Sequence, residues 1–163
     1  MSDPETHTFA DAGAIPNSRL PLLVYRAALP ADAAVMERHF AANGWSGGWH
    51  NGIFPFHHFH SNTHEVLGIA SGRATVLFGG PEGQAVEVRA GDVVVLPAGT
   101  GHCRQAASAD LLVVGAYPDG ADFDTCRGEQ ARAEQVRRSI AAVPVPRSDP
   151  VAGAEGPLLR LWG

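Results

Sequence analysis

The sequence predicts an all-β domain, a sandwich or barrel of short strands with two short flanking helices, and three observations carry that prediction. From Trp45 to Ala116 the apolar runs are short and closely spaced: VLGIA, RATVLFGG, AVEVRA, DVVVLPAG, HCRQA and DLLVVGAY follow one another with turn signals between them. Gly80-Pro81-Glu82-Gly83 and Leu96-Pro97-Ala98-Gly99 each place Pro second and Gly fourth, the signature of a type I turn. Helical character is confined to one stretch on either side of this region.

In chain order, residues 1–18 are expected to form a flexible leader, because MSDPETHTFADAGAIPNS lacks the basic-then-apolar pattern of a secretory signal. RLPLLVYRAAL (19–29) is predicted as an opening strand. Pro30 to Asn43 follows as a helix, with Pro30 in its first turn, Asp32 near the N-terminal dipole, Gly44 as a stop, and Met36 and Phe40 four apart on one face. Gly128 to Ala142 is predicted as the second helix, with Glu129 early, Arg137 and Arg138 late, and Glu134 facing Arg138 one turn on. Pro144 and Pro146 end it, and PLLRLW (157–162) is predicted as a final edge strand. No internal repeat or linker divides the chain, so 19–163 reads as one domain with its core at about 45–116 and its C-terminal helix and edge strand at about 128–162.

Composition narrows the function classes. A 163-residue chain with 45% hydrophobic and 18% charged residues is ordinary for a globular domain. No apolar run approaches the roughly 18–20 residues that span a bilayer. The net charge of −5 argues against nucleic acid and anionic membranes as partners. All twelve basic residues are arginine, which excludes lysine Schiff-base chemistry and a phosphate-loop lysine. Cys103 and Cys126 make no disulfide framework and fit a reducing cytoplasm.

Six of the eight histidines fall between His50 and His102. In HHFHSNTHEV, His58 and His60 are two apart, so an extended backbone puts both imidazoles on one face. Glu65 follows after a turn's length, and His102 lies just beyond the Pro97–Gly99 turn, where another strand should begin. Three neutral imidazoles and a carboxylate form a borderline-to-hard donor set. It suits one divalent ion per chain (Fe, Mn, Ni, Co or Zn) and leaves open positions on an octahedral ion.

These residues resemble the two-part signature of the cupins. Gly52, His58, His60, Glu65 and Gly72 match its first part in every gap, and Gly91, Pro97, Gly99 and His102 match the second. The resemblance implies a cupin-type jelly-roll barrel (a double-stranded β-helix) with His58, His60, Glu65 and His102 as metal ligands. Ala106 stands where the family usually has a non-ligand Asn, so that residue's polar contact is not expected in this chain. NGIFPFHHFHSNTHEVLG, VVGAYPDG and PVPRSDPV…EGPLLRLW look more narrowly like the uncharacterised YjlB-like bacterial monocupins over roughly residues 20–163. That likeness sharpens the fold and names no substrate.

Other residues carry weaker expectations. Strand alternation turns His57 and His64 away from the ligand face and points Cys103 outward as a buried small hydrophobe. Arg104 shares the inward face with His102, where it is a candidate clamp for a carboxylate substrate or, equally, a rim residue. Trp45 and Trp49 are expected to cover the core, with the pocket mouth as the alternative. His57, His64 and Glu87 are the only guesses for a general base. Three function classes follow: an enzyme on a small polar organic molecule, a non-haem Fe(II) dioxygenase being its leading version; a metal-dependent isomerase, lyase or decarboxylase; and a non-catalytic metal or ligand binder. A homodimer is expected, joined through Leu20–Tyr25 or the PLLRLW tail.

Overall fold

A computed structural model describes residues 3–163. Among them, nine strands form two antiparallel sheets. The strands are β1 (Glu5–His7), β2 (Leu22–Tyr25), β3 (Trp45–Asn51), β4 (Glu65–Ser71), β5 (Arg73–Phe78), β6 (Gln84–Arg89), β7 (Val93–Leu96), β8 (His102–Ala107) and β9 (Leu112–Pro118). A six-stranded sheet runs β1-β2-β7-β4-β9-β3 and a three-stranded sheet runs β6-β5-β8. The two sheets stay open rather than closing into the expected barrel: β1 and β3 end one, β6 and β8 the other.

The inner strands of the large sheet, β2, β7, β4 and β9, are buried on both faces, which explains why they read as largely unbroken apolar runs. In β7, VVVL is buried throughout. Val94 and Leu96 turn toward the small sheet and join Leu67, Ile69, Val76, Phe78 and Val88 in the core between the layers. Val93 and Val95 face the other way and pack with Met36, Phe40, Leu158 and Trp162 from the helices. A strand covered on both sides needs no polar alternation.

Helix α1 (Ala33–Ala42) begins three residues after the expected Pro30, because the Asp32 carboxylate accepts a hydrogen bond from the Val35 amide and so caps the helix. Its Met36 and Phe40 sit so close to β4 that a Cβ on Gly68 would lie 2.9 Å from both side chains. The second predicted helix is instead two, α2 (Gly128–Ala131) and α3 (Glu134–Ala142). Ala133 takes extended backbone (φ −73°, ψ 125°) between them. The break lets Ala131, Val136 and Ile140 all reach the small cluster around Ile15 and Phe59.

Three further expectations are corrected. PLLRLW is not an edge strand but α4 (Pro157–Trp162): Pro157 starts the helix, and Leu158 and Trp162, four apart, are buried on one face. Part of the supposed leader belongs to the sheet, because β1 pairs with β2. That pairing also moves Leu22–Tyr25 from the edge to the interior, between β1 and β7. The Gly80–Gly83 turn closes as expected, Gly83 donating to the Gly80 carbonyl at 2.9 Å. The second turn closes one residue late, from the Thr100 amide to the Pro97 carbonyl, with Gly99 at φ +92°.

The C-terminal tail is fixed by two buried polar groups. Asp149, fully buried, accepts from the Tyr25 hydroxyl and from the amides of Val151, Ala152 and Leu158. His64 bridges the second turn to the tail: its Nδ1 accepts from the Ala98 amide at 2.9 Å, and its Nε2 donates to the Pro144 carbonyl at 2.9 Å. Its ring also packs on Trp162, 4.8 Å between centroids. Burial pushes the His64 pKa from 6.5 down to about 4, so the fold favours the neutral ring. The resulting stability is complete above pH 6.5 and is lost as the pH falls toward 4. That loss is on the order of 3 kcal/mol. Urea denaturation of chelator-treated protein at stepped pH should show a shallower acid slope for His64→Gln than for the unmodified chain.

Candidate metal centre

The segment that holds His58 and His60 is extended, but it is tied in place by single bridges rather than by a full strand. His58 pairs with His102 in an isolated antiparallel bridge, its amide 3.2 Å from the His102 carbonyl and the return bond 2.9 Å. Phe59 bridges Cys126 in the same way, and the His60 carbonyl accepts from the Gly99 amide at 2.8 Å. Two distant parts of the chain, 99–102 and Cys126, are thereby drawn onto one segment. Glu65 enters from the first residue of β4 and His102 from the first residue of β8.

The result is a cluster of buried imidazoles. One ring nitrogen from each of His58, His60 and His102 lies within 4.8 Å of the others. On the far side of each ring, Nδ1 donates to a backbone carbonyl: His58 to Phe56, His60 to Asp124 and His102 to Thr100. With the proton fixed on Nδ1, each Nε2 keeps its lone pair. Orienting hydrogen bonds of this kind are what metal-binding histidines use to set tautomer and ring direction.

Glu65 closes the group. Its Oε1 lies 3.2 Å from His60 Nε2 and 3.4 Å from His102 Nε2, while its Oε2 accepts from the Tyr117 hydroxyl at 2.7 Å. Tyr117 in turn accepts from the Trp49 indole at 2.7 Å. Burial would raise the Glu65 pKa, but the attraction of His60 and the nearness of the His102 and His60 rings outweigh it, holding the carboxyl below its usual range. His58 is driven down to about 3 by burial and by the neighbouring His102. Burial also works against charge on His60, yet Glu65 pulls its pKa upward, so the pair attracts a cation. The donor set of three such imidazoles and a carboxylate fits a divalent metal ion.

A cavity of about 430 Å³ opens beside the cluster. Arg104 lines it, as the alternation from His102 suggested, and so does Trp49, whereas Trp45 is sealed in the core. Cys103 is buried and outside the lining. Ala106 is exposed on β8 opposite Thr75. Of the guessed bases, His64 is taken up by the tail, Glu87 is exposed beside Arg89, and His57 lies outside the cavity lining. Tyr117, Phe123 and Asp124 had no assigned role from sequence. The pointer to them was the VVGAYPDG stretch, which leads from β9 into the loop that carries Phe123 and Asp124.

Gly115 explains how Trp49 reaches the cavity. The two residues pair across β3 and β9, and a Cβ on Gly115 would stand 2.4 Å from the indole. Only glycine lets the ring lie over the strand and donate to Tyr117.

Two open antiparallel sheets with a three-histidine site between them define a metal-site β-sandwich of the jelly-roll kind. The chain belongs to the cupin family, whose model matches residues 50–125. It is 42% identical over 159 residues to the uncharacterized protein YjlB of Bacillus subtilis, covering 97% of this chain and 96% of that one. Among solved structures, acireductone dioxygenase from Bacillus anthracis, with a cadmium ion in its active centre, has a TM-score of 0.45 at 16% identity, over 76% of this chain and 97% of that one. A variant of Bacillus subtilis oxalate decarboxylase OxdC has a TM-score of 0.40 at 19% identity, over 66% of this chain and 28% of that one. No helix among the described residues is long and apolar enough to cross a membrane.

Removing the Tyr117 hydroxyl should loosen Glu65 while leaving the ring packing in place. Tyr117→Phe is therefore expected to weaken divalent-metal affinity by about 10–100-fold, read by competition with a chromogenic chelator.

Proposed function

We propose that this protein is a metal-dependent enzyme acting on a small organic molecule, with one divalent ion held by His58, His60, Glu65 and His102. The observation that carries this reading is the set of three Nδ1–carbonyl hydrogen bonds, which leave three Nε2 lone pairs converging beside an open cavity. A structural site would be closed on all sides, whereas an ion with a cavity next to it keeps positions for substrate. Such an ion would supply Lewis-acid or one-electron chemistry to a bound substrate.

The chain's own residues favour a non-haem dioxygenase over an isomerase or lyase. Proton-transfer chemistry needs a base near neutral pH. Apart from the cluster, the polar cavity wall offers Asn51, Thr125, Arg104 and Tyr117. Burial and the adjacent Glu65 push the Tyr117 phenol above its ordinary value, so it serves as a donor that steadies Glu65. Arg104 is placed to bind and orient an anionic group, two residues along β8 from His102.

Protein from its native host should carry about one divalent ion per chain by elemental analysis, and His60→Ala should carry almost none. Metal at about 100 times its dissociation constant adds roughly 2.7 kcal/mol, so a chelator should lower the thermal midpoint. Iron-loaded protein should consume oxygen with a member of a panel of small acids, thiols, diols and enols. Turnover under nitrogen with manganese or nickel would move the reading to isomerase or lyase, and tight binding without turnover would leave a ligand-binding protein.

The same proposal includes a homodimer of a protein in the cytoplasm. The free edge of β3, most of whose residues are exposed, is the element that a second copy would cover. A monomeric mass by light scattering at micromolar concentration would remove that part.

A further inference from the structure

The exposed aromatic residues are not scattered. Among the described residues, Phe54, Phe123 and Val145 are the large hydrophobics left open to solvent, and two of these three line the one cavity beside the histidine cluster. Phe54 is 52% exposed and Phe123 42% exposed. They come from different loops, one before His58 and one after β9.

Both rings are held rather than loose. Phe54 stacks on Phe56, with centroids 4.9 Å apart and planes within 14°, and its edge meets His58 at 5.3 Å. The Arg127 guanidinium lies over Phe56 on top of that stack, 4.1 Å from the ring centre. Phe123 stacks on Tyr117 at 4.6 Å and 16°, and meets His60 edge-on at 5.4 Å. Each exposed phenylalanine therefore has two ring partners within the protein and still leaves part of its surface open to a further one. Further in, Trp49, Ile53 and Leu67 continue the apolar wall.

One charge interrupts this surface. Arg104 is half-buried at the cavity wall, and its guanidinium makes no hydrogen bond or ion pair with any described residue. Glu65, the carboxylate of the same cavity, is already taken up by His60, His102 and Tyr117. A guanidinium in an apolar cavity gains most from a planar anion that accepts two of its donors.

We infer that the cavity takes a molecule with a flat, apolar body and one carboxylate, the carboxylate on Arg104 and the body between the aromatic side chains at the mouth. The inference rests on the reading that this cavity is the substrate site, and it replaces a uniformly polar substrate with an amphipathic one. A volume of about 430 Å³ falls within the range of small-ligand sites and exceeds what the smallest organic acids fill. Aromatic contacts would supply much of the affinity, and the guanidinium would fix which end enters.

Zinc, which has no redox chemistry, allows binding to be read without turnover. Calorimetric titration of the zinc-loaded protein with 3-phenylpropionate, its neutral amide 3-phenylpropionamide, and propionate tests both ends of the ligand. The acid is expected to bind at least about tenfold more tightly than either of the others. Arg104→Gln should erase the preference for acid over amide, and Phe123→Ala the preference for phenylpropionate over propionate, with zinc content unchanged in both. Equal affinity for acid and amide, propionate binding as tightly as phenylpropionate, or no binding of phenylpropionate at millimolar concentration would each overturn the inference. These outcomes are independent of catalysis. Failure of every oxygen-uptake assay with the acid preference intact would remove only the enzymatic reading, whereas turnover of a purely polar substrate without that preference would remove only this one.

Discussion

His58 and His102 face each other across a two-bond antiparallel bridge with their ring centroids 3.9 Å apart, and the rest of the site is arranged around that contact. The bridge joins the loop before β4 to the start of β8. Because β8 pairs with β5 in the small sheet and β4 lies inside the large one, this single pairing also ties the two layers together at the cavity end. Two neighbouring hydrogen-bonded contacts, Phe59 with Cys126 and His60 with Gly99, keep the 58–60 segment from rotating. The imidazole directions then follow from the backbone.

Burying this many ionisable groups together is costly unless each has a defined partner. Here His58, His60, Glu65 and His102 are all at most 6% exposed. The backbone carbonyls of Phe56, Asp124 and Thr100 take the three Nδ1 protons, and Tyr117 takes one oxygen of Glu65. What is left unanswered in the cluster is the side facing the cavity, where three lone pairs and one carboxylate oxygen meet. A divalent cation answers that arrangement, and protons compete with it there, since Glu65 already raises the pKa of His60.

The apolar frame keeps these groups in register. With α1 and α4 on one face and the small sheet on the other, the large sheet has little freedom to shift β4 or β9. Asp124 extends the same control to the loop after β9: its carboxylate accepts from the Ser61 amide and hydroxyl, while its carbonyl receives the His60 proton. Phe123, one residue earlier, is therefore positioned by the same contacts that orient a histidine. The site and its mouth are one hydrogen-bonded unit.

Much of this was legible in the chain itself. The Gly and Pro frame around His58, His60, Glu65 and His102 carried the family, because those spacings reflect local geometry: a two-residue alternation, a turn and a strand start. Cys103 and Arg104 were placed by the same alternation. The Met36–Phe40 face was equally local, whereas the helix expected to start at Pro30 starts after the Asp32 cap. What failed was decided by packing. PLLRLW is apolar enough for a strand, and it is a helix because Leu158 and Trp162 find a groove beside α1 that no local pattern announces. His64 alternates away from the cluster as expected, yet its value lies in a tail some 80 residues later. Tyr117, Phe123 and Asp124 reach the site through the pairing of β9 with β3 and β4, a long-range register that one sequence does not encode in its spacing. Short-range spacing determined which residues can share a point; only the tertiary structure decided which distant side chains hold them there, because contacts across sheets depend on register and burial rather than on order along the chain.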